Sequence, residues 1–251
     1  MHSRSTVEQA LILRQKGLGA RLIAKRLSLP VSTVRDWLAG NVPAHSRRGD
    51  PAAARLCADC GYFQHEFELL TADYVYLLGL YLGDGCISLH RRGVYRLRIA
   101  LDARYPGIID SAVGAMSAVH AGRISRQLRP QNYVEVSSYW KCWPCLFPQH
   151  GAGRKHERLI ELTDWQKRLI DQWPEQLLRG LIHSDGCRFQ NTGTNWSWPR
   201  YSFKQVSDDI RTIFCEACER IGLHWTQART TIYVSRKADV AVLDKFVGPK
   251  R

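Results

Sequence analysis

Leu77-Leu78-Gly79-Leu80-Tyr81-Leu82-Gly83-Asp84-Gly85-Cys86 is the stretch whose reading decides the fold. It returns as Leu177-Leu178-Arg179-Gly180-Leu181-Ile182-His183-Ser184-Asp185-Gly186-Cys187, so that Asp84 and Asp185 lie 101 positions apart, each followed by Gly and then Cys. On a helix, Gly79 and Gly83 share a face, being four apart, and Gly180 and Ser184 do the same. Small residues at that spacing let two helix backbones approach, with leucines filling the rest of the seam. Packed together, the two helices bring their C-terminal ends, and both acids, to one place. That placement is electrostatically poor. A carboxylate at a helix C-terminus costs roughly 0.3–1 kcal/mol, and two carboxylates in proximity repel, so that one tends to take up a proton. A divalent cation relieves both problems. Mg²⁺, with Mn²⁺ as the alternative, takes hard oxygen ligands and completes its shell with water and phosphate oxygens. The candidate metal set is Asp84 and Asp185 with Gly83 and Ser184 immediately before them. The bland reading is that Asp-Gly is a common turn dipeptide which ends a helix and opens a hairpin. It accounts for either copy alone and leaves the pairing unexplained.

The sequence downstream of each copy supports a duplication. From Cys86 to His150 and from Cys187 to Arg251 there are 65 positions each. After the first copy, Ile87–Leu89 reads as a strand. Tyr95, Leu97, Ile99 and Leu101 then alternate with Arg96, Arg98 and Ala100, a strand with one oily and one basic face. A helix is expected over Pro106–Val119, strands over Arg123–Leu128 and Tyr133–Ser138, and a closing helix over Trp140–Phe147. After the second copy, strands are expected at Arg188–Gln190 and Arg200–Lys204 across a loop of Asn191 to Pro199. Next come a helix over Asp208–Ile221, a hairpin of Trp225–Arg229 with Thr231–Ser235, and a helix over Lys237–Val247.

Upstream, residues 1–40 read as three short helices. Val7, Ala10, Leu11 and Leu13 mark the first, ending at Gly17, and Leu22, Ile23, Ala24 and Leu27 the second. The third carries Val34, Trp37 and Leu38 and is capped by Ser32 or Thr33. Ala24 at the helix crossing, Ser28 at the turn and the buried pair Val34 and Trp37 have helix-turn-helix spacing, which puts Ser32, Thr33, Arg35 and Asp36 at the groove-facing start of a recognition helix. A generic three-helix bundle is the competing reading. Residues 41–72 read as a linker, with Arg47, Arg48, Gly49, Asp50 and Pro51 polar or structure-breaking. Within it Cys57-x2-Cys60, with His65 nearby, has half the spacing of a zinc site. Structural Zn²⁺ takes four ligands; Cys142 and Cys145 are candidates for the rest. Cys215-x2-Cys218 falls in a helical stretch and reads as core.

The chain of 251 residues is 45% hydrophobic, enough for a sizeable core. Its formal charge of +13 and pI near 9.6 favour a polyanionic partner, nucleic acid before an acidic membrane surface. No segment approaches the ~18 consecutive apolar residues of a membrane span, and the first residues, MHSRSTVEQ, lack a secretory apolar run. A cytoplasmic, nucleoid-associated protein is expected, with no membrane partner and no small-molecule substrate. The eight cysteines are then free thiols or metal ligands.

The two motif copies, Gly79 to Gly85 and Gly180 to Gly186, resemble the paired motifs of LAGLIDADG homing endonucleases in their single-chain, two-repeat form. The resemblance covers about residues 73–251. It implies an α+β fold in which an αββαββα half-domain occurs twice, at 73–150 and 177–251, joined by a linker at 151–176. Two sheets would form a saddle on double-stranded DNA, and the last acid of each motif would bind the catalytic metals. The often acidic fourth motif position is Leu82 in one copy and His183 in the other. The implied activity is sequence-specific, metal-dependent hydrolysis of one phosphodiester per strand by a monomer. Lys204 is the leading basic candidate beside the acids, its counterpart by alignment being Asp102; Lys237 and Lys141 are further candidates. Outward strand residues Arg96, Arg98, Arg123, Gln127, Arg188, Gln190 and Arg200 are positioned to read bases or hold phosphates. Non-cleaving transcription regulators and splicing cofactors with the same fold are the alternatives.

Overall fold

The structure is a computed structural model that describes residues 4–15, 17–42, 57, 60, 61, 65–248 and 250. The chain forms two compact units, Met1–Glu66 and Phe67–Arg251. Among the described residues no helix is long and apolar enough to cross a membrane.

The first unit holds α1 (Arg4–Gln15), α2 (Ala20–Leu27) and α3 (Val31–Leu38). They close over a small core of Val7, Ala10, Ile23, Ala24, Val34, Trp37 and Val42. α2 ends at Ser28 in the left-handed conformation at φ 53°, where its N–H reaches back to the carbonyls of Ala24 and Lys25. α3 starts at Val31, two or three residues earlier than a cap at Ser32 or Thr33 would place it. Pro30 precedes Val31, and its fixed φ is already suited to a helix start. Ser32 and Thr33 therefore lie inside the first turn and do not cap the helix. The arginines at 47 and 48 and their neighbours lie outside the described residues.

The second unit repeats one plan. α4 (Ala72–Asp84), β1 (Gly85–His90), β2 (Val94–Asp102), α5 (Pro106–Val119), β3 (Ile124–Arg129), β4 (Tyr133–Trp140) and the short α6 (Trp143–Leu146) form the first half. A connecting helix, α7 (Asp164–Gln172), leads to α8 (Pro174–Asp185), β5 (Gly186–Gly193), β6 (Trp196–Lys204), α9 (Asp208–Arg220), β7 (Thr226–Ala228), β8 (Thr231–Val234) and α10 (Lys237–Phe246). The sheets are antiparallel, ordered β1-β2-β4-β3 and β5-β6-β8-β7. The α+β duplicated architecture is as the motif pair implies. α4 is buried on every side from Tyr74 to Leu82. A helix without a polar face has to be central, and here one continuous core links α4 and α8 to both sheets.

Two local expectations give way. The loop from Asn191 to Pro199 is absent: β5 and β6 run on until only Thr194 and Asn195 form the turn. Pro199 pairs with Gln190 inside β6, which is allowed because β8 lies along β6 only from Tyr201 to Lys204. The missing N–H faces the side with no neighbouring strand. The closing helix of the first half is shorter than Trp140–Phe147, because Trp140 still belongs to β4 and Pro144 permits a helix only from Trp143 onward.

Candidate functional site

α4 and α8 cross backbone against backbone. A Cβ on Gly79 would stand 2.6 Å from the Leu177 carbonyl oxygen and 2.9 Å from Gly180 Cα; one on Gly180 would collide with the Tyr76 carbonyl oxygen. Only glycine fits at either position, and it sets the helix separation. A turn further on, a Cβ on Gly83 would meet the Ser184 side chain and come within 2.9 Å of Asp185 Oδ2. Asp84 and Asp185 are the last residues of the two helices. Gly85 and Gly186 then start β1 and β5, each tucked against its own preceding turn at Tyr81 and Ile182.

Two ammonium groups answer the charge at this crossing. Lys155 Nζ donates to the carbonyls of Tyr81 at 2.5 Å, Leu82 at 2.9 Å and Gly83 at 2.6 Å. Lys250 Nζ donates to the carbonyls of His183 at 3.0 Å and Ser184 at 3.4 Å. Each lysine thus satisfies the unpaired carbonyls, and offsets the negative dipole end, of one motif helix. Burial pushes the Asp185 carboxyl up to about 6; the charge of Asp84 pushes the same way, while Lys155, Lys250 and a hydrogen bond from Gln205 pull against it. Asp84 touches solvent, but most of the volume around it is protein, and that burial raises its carboxyl against the same two lysines. Burial lowers Lys155 to about 8, although both acids favour its charged form. Lys250 is lowered by burial too. An open cleft beside Asp84 is lined by Cys86, Arg154, Lys155, His156 and Gln205.

Two carboxylates that burial pushes toward protonation, Asp185 further by the charge of Asp84, are a hard-oxygen donor set that a divalent cation of the Mg²⁺ type fits. Gly83 and Ser184 are adjacent to them, but their carbonyls already accept from the lysines. The Ser184 hydroxyl is turned back to the carbonyls of Gly180 and Leu181. The motif histidine is structural: His183 is buried between the Tyr76 hydroxyl, 2.9 Å from Nδ1, and the Val247 carbonyl, 3.1 Å from Nε2. Burial lowers it to about 4, so it is neutral at physiological pH.

The other sequence-derived candidates are spread over both units. Lys204 is exposed at the end of β6, and Lys237 is exposed at the start of α10. The ammonium groups whose charge reaches the acids are those of Lys155 and Lys250. The strand register also changes the alignment. Gly85 pairs with Ile99 and Gly186 with Phe203, so Lys204 corresponds to Ala100 and not to Asp102. Lys141 lies half-buried in the turn after β4. Arg96 and Arg98 lie on the face of β2 opposite the buried Leu97, Ile99 and Leu101. Glu135 of β4 holds that basic face together: Arg96 Nη2 donates to it at 2.5 Å and Arg129 Nη2 at 2.8 Å, with Arg98 Nη1 at 3.9 Å. Burial pushes Glu135 up, yet the Arg129 hydrogen bond and the charges of Arg96, Arg129 and Arg98 leave it below the usual carboxylate range. Arg123 and Gln127 are exposed. In the second sheet Arg188 donates to Asp244 from Nε and Nη2 at 2.7 and 2.9 Å. Arg200 bonds Ser235 at 2.6 Å and stacks over Tyr233, and the Gln190 amide oxygen accepts from Ser197. Ser32 and Arg35 are exposed on α3 and Thr33 is half-buried. Cys215 and Cys218 are buried in α9, where desolvation raises both thiols, Cys215 to about 11.

Sequence reasoning missed Lys155, Lys250, Gln205 and Glu135. Lys155 stands in a stretch that reads as a flexible basic linker, GAGRKHER, and Lys250 near the end of the chain. The faint signal was positional: a lysine 71 residues after Asp84 and another 65 after Asp185.

No family model and no curated protein match the chain. Among solved structures it is similar to the N-terminal LAGLIDADG domain of DUF199/WhiA, at 13% identity and TM-score 0.42 over 72% of this chain and 84% of that one. It is also similar to the homing endonuclease I-WcaI bound to its DNA recognition sequence, at 11% identity and TM-score 0.46 over 73% and 84%. A third is the I-SmaMI LAGLIDADG homing endonuclease bound to cleaved DNA, at 9% identity and TM-score 0.45 over 70% and 83%.

Proposed function

We propose that the second unit is a sequence-specific, divalent-metal-dependent endonuclease that lays its two sheets on double-stranded DNA and hydrolyses one phosphodiester in each strand. The observation that carries this reading is the convergence of Asp84 and Asp185 at the ends of two helices held together by Gly79 and Gly180. Both acids come from one chain, so a monomer contains the complete pair. Asp84 and Asp185 would hold Mg²⁺ or Mn²⁺, which when bound supplies Lewis-acid stabilisation of phosphoryl oxygens and an acidified water. The rest falls to the protein. Gln205 Nε2 donates to Asp185 Oδ2 at 2.8 Å and so orients that carboxylate. Lys155, with its pKa near 8, keeps its proton at neutral pH and places a fixed, largely desolvated positive charge beside the acids, where phosphate charge develops. Arg96, Arg98, Arg188 and Arg200, with Arg123, Gln127 and Gln190, supply phosphate and base contacts along the sheets. The first unit adds a second DNA contact through Ser32, Thr33 and Arg35 on α3.

The test is cleavage of a supercoiled plasmid carrying the native locus, incubated with Mg²⁺. Linear product that disappears in Asp84→Asn and in Asp185→Asn supports the enzyme. Sequence-specific binding without cleavage under Mg²⁺, Mn²⁺ or any other divalent ion would overturn it in favour of a DNA-binding regulator. One observation favours that second reading: Lys155 and Lys250 already set two ammonium charges against the two carboxylates.

A further inference from the structure

We propose that Cys57, Cys60 and His65 bind a zinc ion in the first unit, a site separate from the paired acids and outside the reaction proposed for them. The three ligand atoms all lie within 4.8 Å of one another, and Cys60 Sγ stands 3.3 Å from His65 Nε2. Around tetrahedral zinc, with Zn–S of about 2.3 Å and Zn–N of about 2.0 Å, sulfur and nitrogen stand roughly 3.5 Å apart and two sulfurs roughly 3.8 Å. The observed spacing is that of a site ready to close on the ion.

The backbone is shaped for the same purpose. The N–H of Gly61 donates to the Cys57 carbonyl at 2.9 Å, which ties the backbone beside Cys60 to that of Cys57. Gly61 itself has φ of 70°, a left-handed conformation natural to glycine. The two thiols of this C-x-x-C lie within 4.8 Å of each other and of the imidazole, whereas a C-x-x-C on a helix, such as Cys215 and Cys218 of α9, spends its thiols on the core. Cys60 is buried, and Cys57 and His65 are half-buried. A shielded set of two thiols and an imidazole suits a structural ion. The described part of this segment has no helix or strand, and metal binding supplies folding free energy where a core does not. The fourth position takes water or a further donor.

The experiment uses the full chain. Zinc is measured in protein purified without chelator; the ion is then removed and Co²⁺ is titrated in. The expected result is one zinc per chain, and with Co²⁺ a thiolate charge-transfer band together with the intense visible bands of tetrahedral cobalt. Cobalt held by the carboxylates of Asp84 and Asp185 gives no thiolate band, so the two sites are read apart. Cys57→Ser/Cys60→Ser loses the zinc and the band, and His65→Ala weakens binding at least tenfold. Cys86→Ser/Cys187→Ser, which removes the exposed thiols next to the acids, keeps both. Protein that carries no zinc and gives no thiolate band with Co²⁺ would overturn the site, as would a band that survives in Cys57→Ser/Cys60→Ser. Circular dichroism of each variant checks that the second unit stays folded.

Discussion

In the first half-domain the fourth motif position is Leu82, an apolar side chain with no exposure. In the second it is His183, which needs the Tyr76 hydroxyl and the Val247 carbonyl to be buried. The same contrast recurs where each sheet approaches the acids. The register that equates Ile99 with Phe203 also equates Leu101, buried in the core, with Gln205, which bonds Asp185. It equates Glu135, partner of three arginines, with Thr231. What repeats is the glycine crossing and the acid at each helix end, with a lysine from a different place in each half on the helix-end carbonyls. What does not repeat is the rest of the polar surroundings. Duplication copies a fold because packing is unforgiving of change at a backbone contact, while polar side chains around a site can be exchanged one at a time.

The largest expected effects test whether the acids act as one pair. In plasmid cleavage, Asp84→Asn and Asp185→Asn should each lower the rate roughly 10³-fold, the scale of removing a transition-state charge contact. Lys155→Ala should lower it more than Lys250→Ala, because Lys155 is the more deeply desolvated charge. Equal nicking by one acid variant and full-speed double-strand cutting by the other would break the equivalence of the halves.

The glycine crossing comes next. Gly180→Ala should cost about 3 kcal/mol or more in urea unfolding, the upper range of overpacking, since its Cβ meets backbone that has nowhere to move. Gly79→Ala should cost a similar amount. A loss under about 1 kcal/mol at either position would show that the helices part freely.

A third test separates the halves by pH in metal-free protein. Asp185 is raised from 3.8 to about 6; its contribution favours folding at low pH and is lost as pH rises through about 6. His183 is lowered from 6.5 to about 4; its contribution is present above about 6.5 and is lost as pH falls toward about 4. The two oppose each other, so the stability of the unmodified chain should change little over that window on their account. Asp185→Asn should uncover a loss on acidification on the order of 2 kcal/mol, and His183→Leu, the residue type of the first half, a gain of the same order. Urea midpoints from pH 4 to 7 read both slopes.

Smaller effects concern the sheets. Glu135→Gln removes the carboxylate that engages Arg96, Arg98 and Arg129, and should tighten DNA binding several-fold while steepening its salt dependence by about 1 for each additional phosphate that an arginine neutralises. Fluorescence anisotropy at several salt concentrations measures this, and an unchanged slope would mean that these arginines do not meet phosphate. Smallest of all, Gly114→Ala in α5, with open space at its Cβ, should stabilise by about 0.5–1 kcal/mol. That gain, set beside the loss at Gly79, would show that the crossing glycines are required by contact and not by helix propensity.

The motif pair made the duplicated α+β fold legible because its signal is local: small residues four apart, an acid, then Gly, with alternating sequence behind each copy. The pairing of strands across β5 and β6 was less legible. Pro199 argues against a strand until the absence of a neighbour on one side is known. Asp84 and Asp185 could be named from sequence since each belongs to a motif. Lys155 and Lys250 could not, being single lysines in a chain with 36 basic residues.

By itself, the sequence determined which residues form the two motif helices, that two carboxylates end them, and that the sheets carry a basic face. These follow from periodicity and charge, which act over a few residues. Only the tertiary structure decided what surrounds the acids. Lys155, Lys250 and Gln205 reach them through chain reversals, and it is burial, a property of the packed whole, that raises both acids and lowers both lysines.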